Sequence, residues 1–333
     1  MKTSTTQKIL FLLLLTALTV VTLTACNSLW LKRSQRLTAV QSPVNTQIVS
    51  SAFGQVEVPL HPQRVVALDG SGILGSLLAL GIKPVGYAPC RDCIGEDALS
   101  ELVADVPVIG DIGQPSLEKI LSLKPDLILA HKWQSQSYPL LSSIAPTVAI
   151  NPSDEADFKK ELKFLAQILH RSEQAEEIIA KYNDRIQKFR EELGANLENK
   201  TVSILHLYGS RMTAYGPSAT TYGQVMNDAG LQFIQAYKDL KNGYLDNISS
   251  ETLPEWDADF LFLVIVYKEH KDLMSLQFLE QPIWSTLKAV QNKQVYAVDW
   301  ASAGGPIGAN RIIDDLYQYF ADTSVQDSKT KPR

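Results

Sequence analysis

Two segments of this chain, 133 positions apart, carry the same internal design. PSLEKILSLKPDLILA places Glu118 eight residues ahead of Asp126 and then runs into Leu127-Ile128-Leu129; ISSETLPEWDADFLF places Glu251 eight residues ahead of Asp259 and runs into Phe260-Leu261-Phe262. Each reads as a helix with an acid near its start, followed by a strand with an acid at its start. An acid in a first helical turn is stabilised by the macrodipole, a sufficient local reason for either glutamate alone. Two at matched positions point further, to a chain built as two equivalent halves whose equivalent acids suit a pair of equivalent partners.

The surrounding pattern agrees. RVVAL (64–68), PVGYA (84–88), DLILA (126–130) and TVAI (147–150) are short apolar runs without strict alternation, and helical patterns near 72–80 and 116–123 intervene. TVSILHLY (201–208), DFLFLVIV (259–266) and VYAVD (295–299) repeat this grammar, and a last helix carries Ile312, Ile313, Leu316, Tyr317 and Phe320 at helical spacing. Non-alternating strands separated by helices predict parallel sheets covered on both faces. Between the halves, Ala175, Ile178, Ile179, Tyr182, Ile186, Phe189 and Leu193 make one apolar stripe from Ser172 to Leu193. That stripe predicts a helix of about 22 residues, or about 33 Å, with Ser172 as N-cap and Gly194 as stop. The fold class expected is α/β: two lobes, each a mainly parallel sheet flanked by helices, joined by a single long helix. At 333 residues and 45% hydrophobic content the chain can fill both cores.

Lys2 and Lys8 precede an apolar run from Ile9 to Leu23, and Leu23-Thr24-Ala25-Cys26 follows. This reads as a secretion signal over 1–25, shorter than a membrane-spanning helix requires. The cysteine after Leu-x-Ala resembles a bacterial lipobox, which makes Cys26 the expected lipidation site. The expected spans are then a tether (26–46), an N-terminal lobe (47–170), the connecting helix (171–195), a C-terminal lobe (196–322) and a disordered tail (323–333). Cys90 and Cys93 form a near pair in YAPCRDCIGE. Outside the cytoplasm the expectation is a loop-stapling disulfide, with a redox CxxC as the alternative.

Removing Lys2 and Lys8 with the leader takes the net charge from −5 to −7. With no basic stripe, nucleic acid is not an expected partner. HExxH, GxSxG and Walker patterns are absent from the sequence, and the scattered acids show no dyad spacing, so no enzyme is expected.

TQIVSSAFGQVEVPLHPQRVVAL, LLALGIKPVGYA, PSLEKILSLKPDLILA, SSETLPEWDADFLFL and WSTLKAVQNKQVYAVD, taken in order from Thr46 to Phe320, resemble the ABC-importer substrate-binding proteins for iron-siderophore complexes. This is the helical-backbone class of periplasmic binding proteins, which also serves vitamin B12 and haem. The resemblance implies a ferric siderophore held between the lobes, and no cofactor. It also implies a monomer, lipid-anchored outside the cytoplasm, that offers Glu118 and Glu251 to arginines on a membrane permease dimer.

A ferric siderophore arrives with its metal already coordinated, so its site needs donors, cations and aromatic faces rather than metal ligands. In parallel α/β lobes ligands lie beyond the carboxyl ends of strands. Residues just after the strand runs are therefore the candidates: Trp133, Arg211, Tyr215, Trp300 and Arg311, with Tyr208 and Tyr222 behind them. Each has a plainer reading, rim packing for the tryptophans and a pairing of Arg311 with Asp314 or Asp315. The rival, a zinc or manganese site, would use His131, His206 and a distant carboxylate, but no histidines have close ligand spacing. His206, inside a strand, reads as a satisfied core or cleft-wall group.

Overall fold

The non-alternating apolar runs become the strands of two sheets. The computed structural model describes residues 45–90, 99–151, 157–209, 211–240, 243–267 and 277–329. It begins with an antiparallel hairpin, β1 (Thr46–Ser51) and β2 (Gly54–Pro59), which the sequence reading does not contain. Then follow β3 (Val65–Ala67), α1 (Gly72–Ala79), β4 (Gly86–Tyr87), β5 (Gly110–Asp111), β6 (Gln114–Pro115), α2 (Leu117–Ser122), β7 (Leu127–His131), α3 (Tyr138–Ile144), β8 (Thr147–Ile150) and α4 (Phe158–Ile168).

The first sheet has the order β4-β3-β7-β8 and is parallel throughout. Every residue of β3, β7 and β8 is buried, as a sheet covered on both faces requires. One face, with Val65, Leu127, Val148 and Ile150, packs on α1 and α4. The other, with Val66, Ile128 and Ala130, packs on Ile120 of α2 and Leu141 of α3.

The connecting helix α5 (Ser172–Leu197) is 26 residues long, about 39 Å. It differs from expectation at both ends. Ser172 is its first residue rather than its cap, Arg171 holds the cap position without a capping side chain, and Gly194 lies inside. Leu197 is buried in the same core as Leu193, so packing carries the helix past a glycine that costs about 1 kcal/mol. The stripe is shared along its length. Ala175 and Ile179 enter the N-lobe core, whereas Tyr182, Ile186, Phe189, Leu193 and Leu197 enter the C-lobe core.

The C-lobe contains β9 (Thr201–Tyr208), β10 (Arg211–Tyr215), α6 (Thr221–Asp228), β11 (Gln232–Phe233), β12 (Tyr244–Ile248), β13 (Phe260–Ile265), α7 (Lys288–Gln291), β14 (Val295–Val298) and α8 (Gly305–Lys329). Its sheet order is β12-β10-β9-β13-β14, with β11 also pairing β9. The centre is parallel; β10 is antiparallel to both its neighbours.

The repeated unit has a physical cause. Asp126, just ahead of β7, accepts the backbone N–H groups of Gln63 and Arg64, both at 2.8 Å, where the chain enters β3. Asp259, just ahead of β13, accepts from the N–H (2.8 Å) and Oγ1 (2.9 Å) of Thr201, the first residue of β9. In each lobe a carboxylate ties the start of one parallel strand to the start of the next. The helices before them also match. Ser116 accepts from the N–H of Lys119 at the start of α2, and Ser249 from the N–H of Glu251. The second is a 3-10 run, Ser250–Trp256, rather than an α-helix, and Pro254 within it has no N–H to give.

The lobes also meet a second time, backbone against backbone. A Cβ on Gly304 would lie 2.6 Å from the N of Gly72, and Gly305, at the start of α8, has φ +66°. Ile307 of α8 packs on the cluster of Leu74, Leu99 and Val103. The contact leaves no room for a side chain. Gly304→Ala is expected to cost about 1–3 kcal/mol by overpacking, read as a lower urea midpoint at constant m. An unchanged midpoint would mean that the lobes part here without cost.

Candidate functional site

The carboxyl ends of both sheets and the starts of four helices line a cavity of about 230 Å³. From the N-lobe come Asp69 and Ser71 between β3 and α1, Gly72 at the start of α1, and His131 and Trp133 at the end of β7. Phe158 and Glu161 of α4 form the inner wall. The C-lobe contributes Ala219, Thr220 and Thr221 at the start of α6, and Gly304 and Gly305 at the start of α8.

Asp69 is 3% exposed and well satisfied. It accepts from the N–H of Ser71 (3.0 Å), the N–H of Ile73 (2.8 Å) and the Ser71 hydroxyl (3.2 Å), and it faces His131 Nε2 at 3.8 Å. Burial alone would raise its pKa. The hydrogen bond and charge of His131, with the two backbone donors, outweigh burial and hold the carboxyl below the usual carboxylate range. Gln134 locks this corner: its Oε1 accepts the N–H of His131, and its Nε2 donates to the carbonyls of Leu68 and Ile112, all at 2.9 Å. Trp133 lies nearly parallel to the His131 ring, with centroids 5.9 Å apart, and is 51% exposed. Glu161 is buried and accepts from the Ser76 hydroxyl at 3.3 Å.

Behind the C-lobe wall lies a cluster of aromatic and imidazole rings. Thr220 caps α6 by accepting the N–H of Gly223. The next residue but one, Tyr222, is buried and hydrogen-bonded to His206 Nε2. Burial pushes the His206 imidazole down to about 3, which keeps it neutral at working pH. The Tyr215 ring stands edge-on to His206 at 4.6 Å, and its hydroxyl meets that of Tyr208 at 3.1 Å. Arg211 covers the Tyr208 ring at 4.7 Å and pairs with Asp246 at 2.8 Å.

Of the five ligand-binding residues expected from sequence, the structure brings Trp133 into the cavity wall. Arg211 and Tyr215 are joined through Tyr208 at the rim of the C-lobe sheet and do not line the cavity. Trp300 is a correction. At 1% exposure it is sandwiched between Tyr222 (6.0 Å) and Phe262 (5.2 Å), and its Nε1 donates to Asp315 at 2.7 Å. A residue two positions past a strand faces inward when a helix folds back over that strand end, as α8 does here. Arg311 forms an ion pair with Asp299, next to Trp300, which gives it a partner within its own lobe. Glu118 and Glu251 are both exposed. Cys90 is disulfide-bonded; Cys93 and the lipidation candidate Cys26 lie outside the described residues.

Asp69 also follows a strand run, RVVAL, but a carboxylate is none of the donors, cations or aromatic faces that a ferric chelate calls for. Glu161 lies in α4, a helix the sequence reading missed. Its signal is an acid on the same face as Phe158, Leu162 and Leu165.

The family model for periplasmic binding proteins matches residues 65–300. A probable siderophore-binding lipoprotein of Bacillus subtilis, YfiY, is 30% identical over 95% of this chain and 99% of its own. The achromobactin-binding periplasmic protein of Dickeya dadantii is 32% identical, covering 77% of this chain and 85% of its own. Among solved structures, Staphylococcus aureus SirA complexed with staphyloferrin B superposes with a TM-score of 0.71 at 28% identity, covering 82% of this chain and 98% of that one.

Proposed function

The chain belongs to the periplasmic binding protein family, and from that premise we propose that it captures a ferric siderophore between its lobes and delivers it to an ABC-importer permease. The observation that carries this reading is the cavity walled by both lobes, with the half-exposed Trp133 on its surface. An aromatic face and the hydroxyls of Ser71, Thr220 and Thr221 suit the organic periphery of a chelate whose iron is already ligated. Relatives named for siderophore binding match 95% and 82% of this chain. The zinc or manganese alternative fares worse. His131 is engaged by Asp69 and His206 by Tyr222, at separate places in the fold.

In this reading the protein works outside the cytoplasm as a binding protein, held to the membrane by a lipid on Cys26. Cys90 bonds to Cys93, residues 47–170 and 196–322 are the two lobes, and a monomer presents Glu118 and Glu251 to the permease. Arg211, with Tyr208 and Tyr215 beside it, is the cation at the C-lobe rim for an anionic part of the ligand.

The test is titration of the purified protein with ferric dihydroxamates, ferric citrate and haem, read by tryptophan fluorescence and melting temperature. A ferric siderophore quenches the fluorescence and raises the melting point. Trp133→Ala weakens that affinity about tenfold, the loss of one well-placed aromatic contact. If no iron chelate produced a response, the reading would be wrong.

A further inference from the structure

We infer that His61 and His170 form a surface site for a first-row transition-metal ion on the N-lobe, away from the cleft and from His131 and His206. His61 lies in the loop between β2 and β3, ahead of the start of β3, and His170 follows the last turn of α4. The cleft lies at the carboxyl ends of the same sheet. The two imidazoles, distant in the chain, stand with ring centroids 5.4 Å apart and planes tilted by 59°. With Gln63, Gly81, Leu169 and Arg171 they line a cavity of about 410 Å³. Coordination geometry gives the ring separation a meaning. A metal–nitrogen bond of about 2.0–2.1 Å puts the metal about 3.2 Å from each ring centre, and a tetrahedral angle then sets the centres about 5.2 Å apart. Both side chains are exposed, and among the described residues neither ring takes part in a hydrogen bond or an ion pair. Their nitrogens are therefore open to a metal.

The backbone that carries each ring is the second reason. His170 has φ +53°, in the left-handed region. It closes α4 in a Schellman turn: its N–H donates to the Gln167 carbonyl at 3.4 Å, and the N–H of Arg171 donates to the Ala166 carbonyl at 2.7 Å. Glycine is the usual residue at such a place, so ending the helix does not account for an imidazole there. His61 is held from the other side. Asp126 takes the N–H groups of Gln63 and Arg64, and Gln63 Nε2 donates to the His61 carbonyl at 3.1 Å. Two anchored backbones present the rings at one separation, which lowers the ordering cost of binding. Among the described residues no group of three or more histidines, cysteines and acids is placed to hold a metal. The pair thus supplies two ligands and water the rest, while Arg171 adds a like charge to the wall. Both features put the affinity in the micromolar rather than the nanomolar range. Imidazole nitrogen selects copper, nickel or zinc over magnesium, which prefers oxygen.

The experiment titrates the full chain with copper, nickel, zinc and magnesium chlorides, followed by calorimetry and melting temperature, with electron paramagnetic resonance on the copper-loaded protein. Copper is expected to bind tightest and to show nitrogen coupling from two imidazoles, the transition metals to raise the melting temperature with concentration, and magnesium to be silent. His61→Gln and His170→Gly should each weaken copper by at least about tenfold, the loss of one of two protein ligands. His170→Gly also separates a metal site from a structural role. Glycine suits the left-handed backbone, so the melting temperature without metal should hold or rise while the response to copper is lost. Copper binding that survives both substitutions, a spectrum without imidazole nitrogen, or a response to magnesium equal to that to zinc overturns the inference. So does a failure of all three transition metals to saturate below about 1 mM.

Discussion

Alanine at both Glu118 and Glu251 is expected to leave ligand affinity within twofold while reducing import to the background of a strain that lacks the protein. Both side chains are exposed, each at the start of a helix, and neither belongs to the cavity wall. The serines that cap these helices stay in place, so the local fold survives the change. On the proposed docking role, the double variant loses a pair of charge-assisted contacts to cationic side chains on the permease, each about 2 kcal/mol once desolvated. Together that is about a thousandfold in docking. The lobes carry one acid each, so a single substitution leaves half of the docking charge and an intermediate rate. Glu118→Gln with Glu251→Gln separates charge from shape and should behave like the alanine pair. Import at the unaltered rate in the double variant would remove the docking role.

The largest stability effect is expected at Trp300, where alanine should cost about 3–5 kcal/mol out of a total of about 5–15. The indole is 1% exposed and fills the space between Tyr222 and Phe262, so its removal leaves a cavity that neighbouring rings cannot close. Its Nε1 is also the donor that offsets burial at Asp315, whose carboxyl burial already pushes up. Without that donor the Asp315 pKa rises further. A folded-state carboxyl raised above its unfolded value penalises folding once the pH exceeds the unfolded pKa. The deficit of Trp300→Ala should therefore be smaller near pH 4 than at pH 7. Urea denaturation at the two pH values measures both effects, and Trp300→Phe should recover part of the loss. Unaltered stability with ligand binding abolished would return Trp300 to the cleft.

Most of the architecture was legible because it is written locally. A strand buried on both faces must be apolar without alternation, and β3, β7, β8, β9 and β13 lie where such runs were read. The hairpin β1–β2 was missed because its burial is patchy, and α4 because buried Glu161 interrupts its apolar face. The eight-residue spacing of Glu118–Asp126 and Glu251–Asp259 reflects one short helical run leading into a strand in each lobe, with the aspartate clamping the neighbouring strand.

The candidate site was legible only as a set of strand ends. Trp133 and Trp300 both follow parallel strands within two residues, yet one stands half in solvent and the other in the core. Nothing near either residue in the chain distinguishes them; the difference is that α8 folds over the end of β14 and packs on Trp300, whereas Trp133 lies on the wall of the cavity. Arg311 found Asp299 rather than an acid of its own helix for the same reason. Periodicity and caps determined which segments are helix and strand, because those choices depend on neighbours three or four residues away. Which side chains face one another across the cleft was decided by contacts between residues such as Gly72, Glu161 and Gly304. These lie far apart in the chain and meet only when both sheets and α5 are packed.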